Sequence, residues 1–197
     1  MFNSLFKIVY FIEFLIIVVV RKYYTAQNRK IELKVDKKFG IDNLFLGLNG
    51  VGMIIPLFYV FSTWLDFANY PLPDILGYIG ALFFAAGIWL LYRSHDDLGK
   101  NWSPVIGIRT KQKLVTNGVY KHIRHPMYAA HMLWAIAQIL MLHNWIAGYS
   151  FIIFLIPHYL IRVGKEEKTL VSEFGSVYQD YIKRTGRIIP KFNRLKK

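Results

Sequence analysis

The chain has 197 residues, 54% of them hydrophobic, yet it carries a formal net charge of +13. A mean hydropathy of +0.29 is too apolar for an ordinary water-soluble domain with that much charge. The absence of cysteine excludes disulfides, thiolate nucleophiles and thiolate metal sites.

A membrane-spanning helix takes about 20 mostly apolar residues. The first such stretch is 1–20, interrupted by Asn3, Ser4, Lys7 and Glu13. Arg21 and Lys22 follow it where a secretory signal would place small residues for cleavage, so the stretch reads as a retained helix. The second is 41–64, where Gly47, Asn49, Gly50 and Gly52 suggest a close helix contact. The third is 73–92, opened by Pro73, a residue suited to a helix start. The connection 93–125 is long and patterned: a turn at 101–104, loose alternation over 105–115, and a tight-turn signal at Asn117-Gly118. Pro126 opens the fourth stretch, 126–142, and only His143-Asn144 separates it from the fifth, 145–161, which predicts a tight antiparallel hairpin. Beyond it Leu170, Val171, Phe174, Val177, Tyr178 and Tyr181 recur at helical spacing. Gly175 should divide this part into two short amphipathic helices on the cytoplasmic membrane face.

The expectation is an all-α integral membrane protein of one domain, residues 1–197, with about five transmembrane helices and short amphipathic C-terminal helices. The charges test it. Lys and Arg crowd the connection after the first stretch, the connection 93–125, and the chain after 161. The connections 65–72 and 143–144 contain none. Five spans place the three basic regions on one side, and the positive-inside rule makes that side cytoplasmic, with the N-terminus outside. Topology then accounts for the +13 charge, and no nucleic-acid partner is expected.

The run from Gly118 to Tyr128 sets Tyr120, Lys121, His122, Arg124, His125 and Tyr128 just ahead of an apolar helix, a polar site at the mouth of a membrane. In the fourth stretch Tyr128, His131, Ala135 and Gln138 share one face; in the fifth His158, Arg162 and Glu166 share another. Ionisable groups in or beside spans are costly and are functional candidates by default. In the hairpin the two stripes can face each other and, with the loop, close a pocket. The plainer readings are an Arg162–Glu166 ion pair worth a few tenths of a kcal/mol, and interhelical hydrogen bonds for His131 and Gln138. His122-x-x-His125 has too few partners for a metal, and none is expected.

The ordered set carries a resemblance. The segment 114–120 leads into Arg124-His125-Pro126-Met127-Tyr128; after the hairpin come Arg162, Glu166-Glu167, Leu170, Phe174-Gly175, Tyr178, Tyr181 and Ile189-Pro190. From about Trp102 to Pro190 this resembles the isoprenylcysteine carboxyl methyltransferase family. The resemblance implies S-adenosylmethionine as cofactor and a site built from about 102–128 and 162–190. By motif position it implies a cofactor set of Gln112, Lys113, Leu114, Val115, Tyr120, His125, Pro126, Met127, Tyr128 and Glu166. It implies Arg162 on the acceptor carboxylate, Arg124 supporting the pocket or the acceptor, and a prenyl chain in a membrane-open tunnel. The partners implied are a prenylated or other lipid-like carboxylate and membrane lipids. Three alternatives are a phospholipid amine methyltransferase, a sterol-type reductase using a nicotinamide cofactor, and a non-enzymatic membrane lipid-binding scaffold.

Overall fold

The computed structural model describes residues 2–28, 33–36, 40–102, 107–109 and 113–191. Its body is five helices in chain order: α1 (Phe2–Asn28), α2 (Gly40–Phe61), α3 (Asp74–Leu98), α4 (Pro126–Leu142) and α5 (Trp145–Arg184). Leu44–Phe61 of α2, Asp74–Asn101 and Trp145–Arg184 are long and apolar enough to cross a bilayer, and α4 is a shorter apolar helix. Residues 2–20 of the expected first span lie within α1, a helix of 27 residues. The helical architecture has one addition: β1 (Leu33–Asp36) and β2 (Gly107–Arg109) pair antiparallel, the latter within the loosely alternating stretch 105–115. The expected division of the C-terminal part at Gly175 is present, at φ 55° and ψ −131°, but the part before it continues α5 and forms no separate short helix.

The bundle packs α3 on α4, α2 on α5 and α4 on α5, with α1 against α3 and α4. Without a hydrophobic force between helices in lipid, close approach through small residues matters more. A Cβ at Gly80 would meet Met141 at 2.7 Å, one at Gly87 the Ala130 carbonyl at 3.1 Å, and one at Gly52 the Ser150 carbonyl at 2.7 Å. Of Gly47, Gly50 and Gly52, Gly52 alone makes the expected contact; at Gly47 and Gly50 a Cβ would meet open space. Phe6, Tyr10, Tyr59, Phe84, Trp134, Met141 and Phe151 fill the core. Ile8, Ile12, Val19, Ile54, Phe58, Leu82, Ile153 and Leu160 point outward, as a lipid-facing surface requires.

The two ends of the bundle are chemically distinct. At one end the connections free of Lys and Arg meet: Asn69 bridges Asn144, and the Tyr70 amide donates to the His143 carbonyl at 3.0 Å. Asn144 caps α5, accepting from the amides of Ile146 and Ala147 at 3.1 and 2.8 Å, while its Nδ2 donates to Leu65 and Asn69. That cap sets the sharp turn predicted for His143-Asn144. Exposed Trp64, Phe67 and Trp145 form an aromatic rim at this end, and Lys7 of α1 reaches Asp66 at 3.8 Å. At the other end β1 pairs β2, and Ile123 bridges Gly186. The three basic regions therefore meet at one end, as the five-span reading requires.

Candidate functional site

A cavity of about 390 Å³ opens at the basic end of the bundle. Of the residues singled out in the sequence, Lys113, Leu114, Val115, Tyr120, Arg124, His125, Pro126, Met127, Tyr128, Arg162 and Glu166 all line it. Gln112 lies outside the described residues. His131 and His158 line it as well, but Gln138 does not. Gln138 is a helix clasp: its amide donates to the Ala147 carbonyl at 2.7 Å and to Ser150 at 3.1 Å, and its oxygen accepts from Tyr10 at 2.9 Å.

Local chemistry shapes the loop before α4. Asn117 and Gly118 turn the chain, with Gly118 at φ 56°. The turn is held by a residue that no motif marked: Asp97 accepts from the Val119 amide at 2.8 Å and from Arg93 at 2.8 Å. A Cβ on Gly118 would run into the Asp97 carboxylate. Gly118→Ala is therefore expected to destabilise by at least about 1–2 kcal/mol from the left-handed backbone alone. A thermal midpoint in detergent equal to that of the wild type would refute this.

From Gly118 the loop runs across the cavity to Pro126, which starts α4 at the position where a missing amide costs nothing. The C-terminal tail straps it down through its backbone. The Arg124 amide donates to the Gly186 carbonyl and the His125 amide to the Arg187 carbonyl, both at 2.9 Å, and the Gly186 amide donates back to His122 at 3.3 Å. The Tyr181 hydroxyl donates to the Tyr120 carbonyl at 2.6 Å.

One carboxylate ties these parts together: Glu167, which the sequence marked only as a member of the Glu166-Glu167 pair. Glu167 Oε1 accepts from Arg124 Nε at 3.1 Å and stands 3.2 Å from His125 Nε2; its Oε2 accepts from Arg187 at 2.8 Å. Burial acts to raise its pKa, but the bonds from His125 and Arg187 and the charge of Arg124 outweigh burial and hold it down at about 2. Arg124 also donates to the carbonyls of Ile182 and Thr185. Its fork is thus spent on the wall of the site. Glu166, one residue earlier on α5, faces the cavity, where its Oε2 accepts from Tyr128 at 3.3 Å. Because α5 turns about 100° per residue, neighbouring carboxylates take different jobs.

Trp102, Tyr120 and Tyr178 are among the aromatic rings that line the cavity. Burial first, and then the nearby carboxylates, push the phenols of Tyr120 and Tyr178 well up, so both keep their protons at neutral pH. Deeper in, toward α2 and the middle of α5, the lining turns apolar with Leu46, Met53, Phe151 and Leu155. The cavity thus combines a polar mouth with an apolar floor. No group of three or more metal-ligating side chains occurs among the described residues.

Comparison with known proteins gives the arrangement a context. The family model described as "Isoprenylcysteine carboxyl methyltransferase (ICMT) family" matches residues 78–172. Protein-S-isoprenylcysteine O-methyltransferase of Schizosaccharomyces pombe is 30% identical over 110 residues, covering 55% of this chain and 47% of the relative. The human protein of the same name is 31% identical over 138 residues, covering 66% and 49%. The chain spans about half the length of the curated relatives it matches. In fold it is similar to the solved "eukaryotic intramembrane Ras methyltransferase ICMT", with a TM-score of 0.54 at 22% identity, over 92% of this chain and 62% of that one.

Proposed function

We propose that this chain, a member of the isoprenylcysteine carboxyl methyltransferase family across residues 78–172, is a membrane methyltransferase. It esterifies the carboxylate of an isoprenylcysteine-type lipid, takes the methyl group from S-adenosylmethionine, and works at the cytoplasmic face with its N-terminus outside. One observation carries the reading: the loop 113–128 and the α5 face Arg162–Glu166, far apart in sequence, line one cavity with a polar mouth and an apolar floor.

The residues present fit such a donor. The Tyr178 hydroxyl and Asn49 Oδ1 are buried in the cavity wall with no hydrogen-bond partner among the described residues, and a ligand bearing amino and hydroxyl groups would satisfy both. Glu166 offers a carboxylate to an ammonium or to ribose hydroxyls. Tyr120 and Trp102 offer faces to a purine or a sulfonium. When bound, the cofactor supplies an electrophilic methyl group on a positively charged sulfur.

The chain's own part in the reaction is placement. A carboxylate with an ordinary pKa near 4 is already anionic at pH 7, so no general base is needed. Arg162 is placed to orient it, a charge-assisted contact worth about 1.5–3 kcal/mol. The attacking oxygen loses charge on the way to the transition state, so Arg162 must align it without gripping it. The buried mouth keeps water from that oxygen. The floor takes the prenyl tail at about 0.8 kcal/mol per buried methylene. The charged lining favours an anionic acceptor over a lipid ammonium: besides Arg124, which is paired with Glu167, Arg21, Lys113 and Arg162 stand there, and Glu166 is the one carboxylate among the described lining residues.

The test is direct. Purified protein in lipid nanodiscs, given methyl-labelled S-adenosylmethionine and an N-acyl prenylcysteine, is expected to form a base-labile methyl ester. No such ester, under conditions where cofactor binding is demonstrated, overturns the reading. Label in extracted phospholipid headgroups instead would point to amine methylation.

A further inference from the structure

We propose that Arg21 of α1 is a second acceptor-binding residue, which closes with Arg162 on the acceptor's carboxylate from the opposite wall of the cavity. This rests on the carboxyl-methyltransferase reading above. Arg21 belongs to no motif, and α1 lies wholly outside the segment matched by the family model.

Three features of the structure argue for it. First, Arg21 is aimed. His131 Nδ1 lies 2.6 Å from the Met127 carbonyl, which can only accept, so Nδ1 carries the proton. Nε2 then offers its lone pair to Arg21 Nη1 at 3.1 Å. The imidazole thereby fixes one corner of the guanidinium and leaves the rest of its donors for another partner.

Second, Arg21 has no countercharge among the described residues. Its one hydrogen-bond partner among the described residues is His131, and no described carboxylate pairs with it. A part-buried guanidinium at a membrane boundary without a counter-ion is costly. Arg162 makes the cost greater, because the two positive charges oppose each other across the same space. An anion between them adds an attraction to each arginine that offsets both costs.

Third, the pair sits at the right depth. His158, Arg162 and Glu166 climb α5 a turn at a time, so His158 lies about 12 Å deeper than Glu166. His131 is likewise one turn further into α4 than Met127. The Arg21–His131 pair therefore adjoins the apolar floor of Phe151 and Leu155, while Glu166 and the loop residues form the tier nearer the mouth. A carboxylate at the head of an apolar tail would meet the two arginines before it met Glu166. Each carboxylate oxygen has two lone-pair directions, so one anion can accept from both forks.

The experiment uses the full chain in nanodiscs and measures binding as well as turnover. Wild type should bind an N-acyl prenylcysteine carboxylate at least about 10-fold more tightly than the matching carboxamide. Arg21→Gln, with Arg162 still in place, should cut that preference by about 5-fold or more and raise the acceptor KM by about 10-fold, with the affinity for S-adenosylhomocysteine within about 2-fold of wild type. Arg21→Lys should restore part of the preference, and its thermal midpoint shows that it is folded. An undiminished preference for the carboxylate in Arg21→Gln overturns the proposal. So does a loss of S-adenosylhomocysteine affinity in that variant, which would place Arg21 on the donor's own carboxylate. If wild type forms no ester but shows an Arg21-dependent carboxylate preference, the anion site stands and the methyltransferase reading falls.

Discussion

Replacing Arg162 by alanine is expected to lower acceptor turnover by about 10²-fold while S-adenosylhomocysteine binds within about 3-fold of wild type. Arg162 lines the cavity from α5, one turn below Glu166 and one above His158. It stands between the mouth, with its loop and carboxylate, and the apolar floor. A charge-assisted fork on a carboxylate is worth about 1.5–3 kcal/mol, or about 10- to 10²-fold. Misplacing the attacking oxygen adds to that, because methyl transfer needs oxygen, carbon and sulfur in line. Steady-state kinetics on the acceptor, paired with calorimetry on the donor analogue, separates the two roles. Full turnover in Arg162→Ala would remove this residue from the acceptor site; lost donor affinity would move it to the donor.

Glu167→Gln is expected to be the most damaging single change to the fold of the site. The substitution keeps the shape but removes the charge shared by Arg124, His125 and Arg187. Arg124 is 8% exposed, so the loss leaves a guanidinium buried without its counter-ion, a cost of about 3–5 kcal/mol. The loop 122–125, the tail 185–187 and α5 all meet at this carboxylate, so loosening it should also weaken S-adenosylhomocysteine binding, by about 10-fold or more. The same residue sets an acid limit. Glu167 lies past the apolar part of α5, and its folded pKa, about 2, is below the ordinary 4.5. The stabilisation is therefore complete above about pH 4.5 and is lost as the pH falls toward 2, because the unfolded chain takes up the proton first. Thermal midpoints recorded from pH 7 down to pH 3 should fall in wild type below about 4.5, with this component absent in Glu167→Gln. Equal midpoints and equal acid slopes in the two proteins would contradict the hub role.

Much of the architecture was legible because it depends on short-range signals. A long apolar run can only be a helix where no water satisfies the backbone. Pro126 starts α4, Asn144 caps α5 and Gly175 breaks it, each through the conformation of that residue alone. The distribution of Lys and Arg put three connections on one side, and the backbone pairings 33–109 and 123–186 bring those regions to one end. The continuity of α5 beyond the bilayer was misjudged for a related reason. The change from apolar to amphipathic pattern at Arg162 marks a change of surroundings, and the backbone runs on through it.

The amino-acid sequence by itself determined the membrane class, the bundle of helices, the shared side of the basic regions and the chain segments that meet at the site. Those properties follow from composition, periodicity and local conformation, which act within a few residues. Only the tertiary structure decided which charged group does what. Arg124 and His125 reach Glu167 across more than 40 positions, and Arg21 reaches His131 across 110. Which of two adjacent glutamates becomes the hub depends on the rotation of α5 against its neighbours. Whether the arginine that follows the first apolar stretch faces lipid headgroups or the cavity depends on how α1 packs against α3 and α4. The energy of an ion pair depends on distance and burial, and neither exists until the helices are assembled.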